Sequence, residues 1–188
     1  MEKKAAVIVA EGFEESETLT IVDILRRAEI RCDLVGLVSD EVKGAHDIVV
    51  KTDHVMSDDL LNYDMVILPG GYGGADAMRN NDHLLALLNK MNDEGRYVCA
   101  MCAAPIALER AGLLKDRKYT AYAGYDKKIA DGTYLEDIVV QDGNLITSRG
   151  PATVYAFAYY LVDVFGGDSL AVKNRMVYFN AFDVKEEA

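Results

Sequence analysis

"RYVCAMCAAPIALERAGLL", residues 96–114, changes character part-way along. Arg96 to Met101 is a short apolar run that reads as a buried strand. Beyond Cys102, "AAPIALERAGLL" reads as a helix with Pro105 in its first turn, where a missing N–H costs little. Ala103 and Ala104 are small enough for a sharp bend between the two. Strand, tight turn and helix in that order form the unit from which parallel α/β sheets are built.

The same alternation continues on either side. "AAVIVA" (5–10) is too short for a helix and reads as a strand, followed by a helix from about Glu14 to Ala28 with Ile21, Val22, Leu25 and Ala28 at helix spacing. "CDLVGLV" (32–38) is a second strand, 42–51 a small hairpin at an edge, and "MVILPGG" (65–71) a third strand. "HLLALLNKMN" (83–92) is a helix that leads into the strand at 96–101. "VVQDGNLITS" (139–148) carries the Asp-Gly signal of a hairpin, and "TVYAFAYYLVDVFGG" (153–167) is the final helix, closed by glycines. Neither repeat nor low-complexity linker interrupts the pattern, so residues 1–188 read as a single α/β domain with a mostly parallel sheet covered on both faces. In such sheets ligands bind beyond the carboxyl ends of the strands. Three segments fall there: "AEGFEESE", "LPGGYGG" and "CAMCAAP".

Composition narrows the partners. The chain has 188 residues and a net charge of −11, spread along its length, which disfavours free nucleic acid and anionic membrane surfaces. Three cysteines, Cys32, Cys99 and Cys102, are too few and too odd in number for a disulfide framework. The N-terminal apolar run turns acidic at Glu11, unlike a secretory signal, and no stretch approaches the roughly 18 apolar residues of a membrane helix. A reducing cytoplasm is the expected compartment.

Cys99 and Cys102 have C-x-x-C spacing, which raises a thioredoxin-like pair. Three residues of extended chain span roughly 10 Å, whereas a disulfide needs Cα atoms within about 7 Å. Because the helix begins only after Cys102, Cys99 lies inside the strand as a small core residue. Cys102 sits between strand and helix, where a nucleophile elbow would stand, and a helix N-terminus there would lower its thiol pKa. Taken alone, it is equally a buried free cysteine.

Glu17 gives it company. Glu14 and Glu15 suit the positive end of the first helix, but Glu17 shares a face with Ile21, Ile24 and Ala28 and so points inward. A carboxyl buried there has a raised pKa, and when protonated it donates to a thiolate and serves as general acid and base. The glycine run at 69–74 lacks the Lys-Ser/Thr ending of a P-loop. It reads either as a tight strand-to-helix turn or as the source of a Gly71 N–H that joins the Ala103 N–H in an oxyanion hole facing Cys102.

Taken in order, "AEGFEESET", "LPGGYGGA", "CAMCAAP" and "TSRGP" resemble the ThiJ/PfpI superfamily, nearest the branch of the parkinsonism-associated protein deglycase and the bacterial YajL proteins. The resemblance extends from about Lys3 to the last helix. It implies a flavodoxin-like three-layer α/β sandwich and a homodimer. On matching positions it makes Cys102 the nucleophile, Glu17 its acidic partner, and the Gly71 and Ala103 amides the oxyanion hole. Two positions depart from the pattern. Many members carry a histidine on the strand after the elbow helix, where this chain has Tyr122, so a PfpI-type Cys–His peptidase is weakly supported. His46 stands where relatives often carry an arginine. Three readings follow: a cofactor-independent and metal-independent enzyme acting on a small reactive carbonyl or its glycated adduct, a redox sensor that oxidises Cys102, and a holding chaperone.

Overall fold

Residues 5–9 are all 0% exposed, so this strand needs cover on both faces, as a central parallel strand has. The computed structural model, which describes residues 3–179 and 181, provides that cover. Its elements run β1 (Lys4–Val9), α1 (Glu15–Arg27), β2 (Arg31–Gly36), a hairpin of β3 (Glu41–Lys43) and β4 (Val49–Lys51), β5 (His54–Val55) and β6 (Met65–Leu68). They continue with α2 (Tyr72–Arg79), α3 (Asp82–Asp93), β7 (Tyr97–Met101), α4 (Pro105–Arg110), β8 (Lys118–Tyr119) and β9 (Thr133–Tyr134). Last come β10 (Val139–Asp142), β11 (Leu145–Ser148), α5 (Val154–Val164) and α6 (Ser169–Arg175).

Seven strands form the main sheet in the order β10-β11-β7-β6-β1-β2-β5. Every neighbouring pair is parallel except β10 and β11. From β1 the chain first moves one way to β2 and later the other way, from β6 to β7 and β11. Right-handed crossovers therefore place helices on opposite faces. α1 packs against α5, while α2, α3 and α4 pack among themselves. The order reverses beside β1, so the crevice lies at the carboxyl ends of β1, β6 and β7. The three segments singled out in the sequence emerge there.

Several boundaries differ from the sequence reading. The strand-to-helix turn at 69–74 delivers into α2, a helix hidden by Gly73 and Gly74 in its first turn. Packing holds it, with Ala75 and Met78 both 0% exposed. α4 stops at Arg110 instead of running to Leu114, and the chain turns at Gly112 with φ +77°. α5 is followed by α6, whose first turn is capped by the Asp168 side chain accepting from the Ala171 N–H at 2.9 Å. The 42–51 hairpin forms, but as a two-stranded sheet of its own, and the edge of the main sheet is β5. Tyr122 lies in a bend beyond β8, not on a strand. Among the described residues, no helix is long and apolar enough to cross a membrane.

Candidate active site

Cys102 follows the last residue of β7 and has φ +58°, a left-handed conformation that costs a non-glycine residue about 1–3 kcal/mol. Two hydrogen bonds hold the bend. The Cys102 N–H donates to the Ser148 carbonyl at 3.1 Å, and the Tyr122 N–H donates to the Cys102 carbonyl at 2.8 Å. The "TSRGP" stretch thus anchors the elbow from β11. Cys99, three residues earlier, is 0% exposed, and burial raises its thiol pKa. All three cysteines are free. The redox-pair reading has no support in this geometry.

Glu17 comes from the first turn of α1 and is 0% exposed. Its Oε2 accepts the Gly70 N–H at 2.7 Å, and its carboxyl shares a hydrogen bond with the Cys102 side chain. Gly70 is what lets the two meet. A Cβ at this position would fall 2.5 Å from the Cys102 Cβ and 2.7 Å from Glu17 Oε2. Gly71 is held at φ +88°, with the Gly12 carbonyl oxygen 2.2 Å from where its Cβ would be, so no larger residue fits. The Ala103 and Gly71 N–H groups both hydrogen-bond the Cys102 sulfur. All four residues named from the sequence, Cys102, Glu17, Gly71 and Ala103, therefore converge on one sulfur atom.

The electrostatics follow the sequence reading for Glu17 and correct it for Cys102. Burial raises the Glu17 carboxyl to about 7, against the opposing pull of the Gly70 N–H and the Cys102 side chain. Burial also raises the Cys102 thiol, the charge of Glu17 raises it further, and the Ala103 and Gly71 amides lower it. The lowering expected from a helix N-terminus does not prevail, since α4 has only six residues and starts three positions after Cys102. The two acids are coupled: whichever ionises first raises the other, so the pair holds one negative charge near neutrality. Glu17 Oε1 is buried without a hydrogen-bond partner among the described residues. A neutral carbonyl oxygen tolerates that far better than an anionic one, which adds to the burial that raises the Glu17 carboxyl.

Alkylation tests this directly. Cys102 should react with iodoacetamide while Cys32 and Cys99, at 2% and 0% exposure, stay unmodified in the native protein. The rate should be slow at neutral pH and climb about tenfold per pH unit through the ordinary thiol value without levelling off there, because burial and the Glu17 charge raise the thiol. A plateau at or below the ordinary thiol value, seen by peptide mapping across pH, would mean that the Ala103 and Gly71 amides outweigh burial at the sulfur.

Glu14, His46, Gly71, Tyr72, Cys102 and Tyr122 border a cleft of about 350 Å³ over the sulfur. Tyr72 and Tyr122 are hydrogen-bonded to each other, and their rings meet edge to face at 6.2 Å. Tyr72 also stacks on the buried Tyr125. Tyr122 was noted from the sequence as standing where many members carry a histidine, whereas Tyr72 was not placed at the site; its signal was its position beside Gly71. His46 was noted as a departure, but its partner was not visible. Its Nδ1 lies 2.7 Å from Glu15 Oε2, across 31 residues of sequence. Glu14, Glu15 and His46 bring possible ligand atoms within 4.8 Å of one another, yet the hydrogen-bonded Glu15–His46 pair already accounts for that closeness.

A family model described as the DJ-1/PfpI family matches residues 3–164. The chain belongs to this family. Among its DJ-1/PfpI relatives, protein dj-1beta of Drosophila melanogaster is 38% identical over 174 residues, covering 89% of this chain and 91% of that one. The crystal structure of Drosophila DJ-1beta superposes with a TM-score of 0.88 at 35% identity, covering 94% of this chain and 98% of that chain. Deglycase TK1284 of Thermococcus kodakarensis is 29% identical over 157 residues, 82% of this chain and 94% of that one. The DJ-1/PfpI fold thus accounts for the doubly covered sheet and for an elbow at the carboxyl end of β7.

Proposed function

We propose that this protein is a cofactor-independent cysteine enzyme acting on reactive dicarbonyls or their early adducts, with methylglyoxal converted to lactate. The observation that carries the reading is the buried Glu17 carboxyl, raised to about 7 and hydrogen-bonded to the Cys102 thiol. A group that titrates near the working pH both gives and takes protons efficiently. The deglycase among the relatives supports the same chemistry.

The chemical steps balance without a cofactor. Glu17 takes the Cys102 proton as the sulfur attacks the aldehyde carbon, and the new oxyanion, facing the Gly71 and Ala103 N–H groups, takes that proton from Glu17 to give a hemithioacetal. Glu17 removes the hydrogen from that carbon to give an enediol as the neighbouring carbonyl oxygen takes up a proton, then returns its proton to the carbon bearing that oxygen while the first hydroxyl gives up its own, leaving a lactoyl thioester. Water hydrolyses the thioester, releasing lactate and restoring the thiol. A second reading, a redox sensor, draws on the same donors: the Gly71 and Ala103 amides and the Glu17 carboxyl would hold the oxygens of a sulfinate. Hydrolysis returns the thiol, whereas oxidation to sulfinate consumes it. Incubation with methylglyoxal in the absence of glutathione should yield many equivalents of lactate per chain. No lactate, with Cys102 converted to sulfinic acid by mild peroxide, would replace the enzyme reading with the sensor.

A further inference from the structure

Glu15 is 5% exposed, and both of its carboxylate oxygens are spent on one residue. Oε1 accepts the His46 backbone N–H at 2.6 Å, and Oε2 lies 2.7 Å from His46 Nδ1. The carboxylate therefore fixes both the hairpin loop and the orientation of the ring. With Nδ1 tied to a carboxylate, Nε2 is the nitrogen left to exchange protons with a ligand. His46 shares the cleft with Cys102 but stands at its solvent side, exposed where Cys102 is buried. The charged groups around the ring are Glu14, whose Oε2 is 3.8 Å from Nδ1, Glu15, and Asp47 on the hairpin, itself paired with Lys43. Together they favour the imidazolium.

We infer that His46, oriented by Glu15, is the proton donor to the leaving amine when the substrate is an amine adduct of a dicarbonyl; this rests on the reaction proposed above. An amine carried on a macromolecule stays at the open rim of the cleft, where His46 stands. Glu17, fully buried on the sulfur side, has no access to it. In the hemiaminal the amine nitrogen is bonded to the former aldehyde carbon. The Cys102 sulfur forms its bond to that carbon as the carbon–nitrogen bond breaks, and the nitrogen takes the bonding pair and the proton from Nε2. The products are the free amine, neutral His46 and the same hemithioacetal that free methylglyoxal forms. His46 recovers its proton from solvent. The two substrates thus differ in one step, and only the adduct needs a donor at the rim.

The experiment compares initial amine release from methylglyoxal hemiaminals, above the protein-free rate, with lactate formation from free methylglyoxal. His46→Gln and His46→Arg should each lower the ratio of adduct to aldehyde turnover by about 100-fold, in the range of general-acid effects. Across a series of amines of rising basicity, the wild type should show a shallow dependence and both variants a steep one. Arginine keeps the ion pair with Glu15 but gives up no proton at neutral pH. If His46→Arg restores the ratio, the residue serves only as an ion-pair partner and the inference falls. Lactate from free methylglyoxal with an unchanged ratio in both variants also overturns it, alone. No lactate from either substrate in the wild type overturns the reaction itself, and this role with it.

Discussion

Cys102→Ser should bring lactate formation from methylglyoxal down by about 10⁴-fold or more, to the level of protein-free solution, without unfolding the chain. The substitution changes one atom in a site whose backbone is clamped from outside. The Ser148 carbonyl and the Tyr122 N–H hold the elbow at φ +58° whichever side chain is present. Serine fits the same space, so circular dichroism and melting should stay close to wild type. What is lost is the nucleophile. A serine hydroxyl ionises far above a thiol, and Glu17, at about 7, is much too weak a base to make up the difference. The two oxyanion donors remain, but they have no tetrahedral intermediate to stabilise. Lactate formation by Cys102→Ser at more than a few per cent of the wild-type rate would show that the sulfur is a bystander.

Legibility in the sequence was uneven, for physical reasons. The parallel core was plain because β1 and β6 are buried on both faces and read as unbroken apolar runs of four to six residues. α1 was plain because one of its faces is apolar and the other charged. α2 was not, since Gly73 and Gly74 lower its intrinsic propensity and only tertiary packing makes it helical. α6 was missed because the glycines at 166–167 look like an ending, and its cap depends on Asp168.

The site divides the same way. Cys102 and Glu17 were readable from local signals: a strand-to-helix turn in one case, a carboxyl on an apolar helix face in the other. The Gly70 amide was passed over in favour of Gly71, because a turn glycine does not reveal which N–H its geometry aims at which acceptor. Gly70 serves Glu17, and Gly71 serves the sulfur. The thiol's raised pKa was missed for another reason. The sequence showed a helix start after Cys102, but not that the helix would be short or that burial would outweigh it. Contacts between a helix and a distant loop, such as Glu15 with His46, leave no periodic trace.

Glu17→Gln should cut lactate formation by roughly 100-fold or more, the ordinary weight of a general acid–base group, while making the fold more stable above neutral pH. The glutamine oxygen keeps the acceptor for the Gly70 N–H, so the local structure is retained. An amide, however, neither takes the hydrogen from the hemithioacetal carbon nor returns one. The Cys102 thiol should titrate lower in the variant, because the carboxylate charge that raises it is gone. The stability change has the opposite sign. Glu17 titrates at about 7 in the folded chain against 4.5 when free, so the native state binds its proton more tightly than the unfolded state does. That contribution is fully present below pH 4.5 and is lost as pH rises through 7. The shift corresponds to roughly 3 kcal/mol. Denaturant titrations should therefore show Glu17→Gln gaining on wild type between pH 4.5 and pH 8 by an amount of that order. An inactive variant with no such pH-dependent gain would mean that Glu17 is ionised throughout, and therefore unable to act as the acid. An active variant would remove it from the proton transfer altogether.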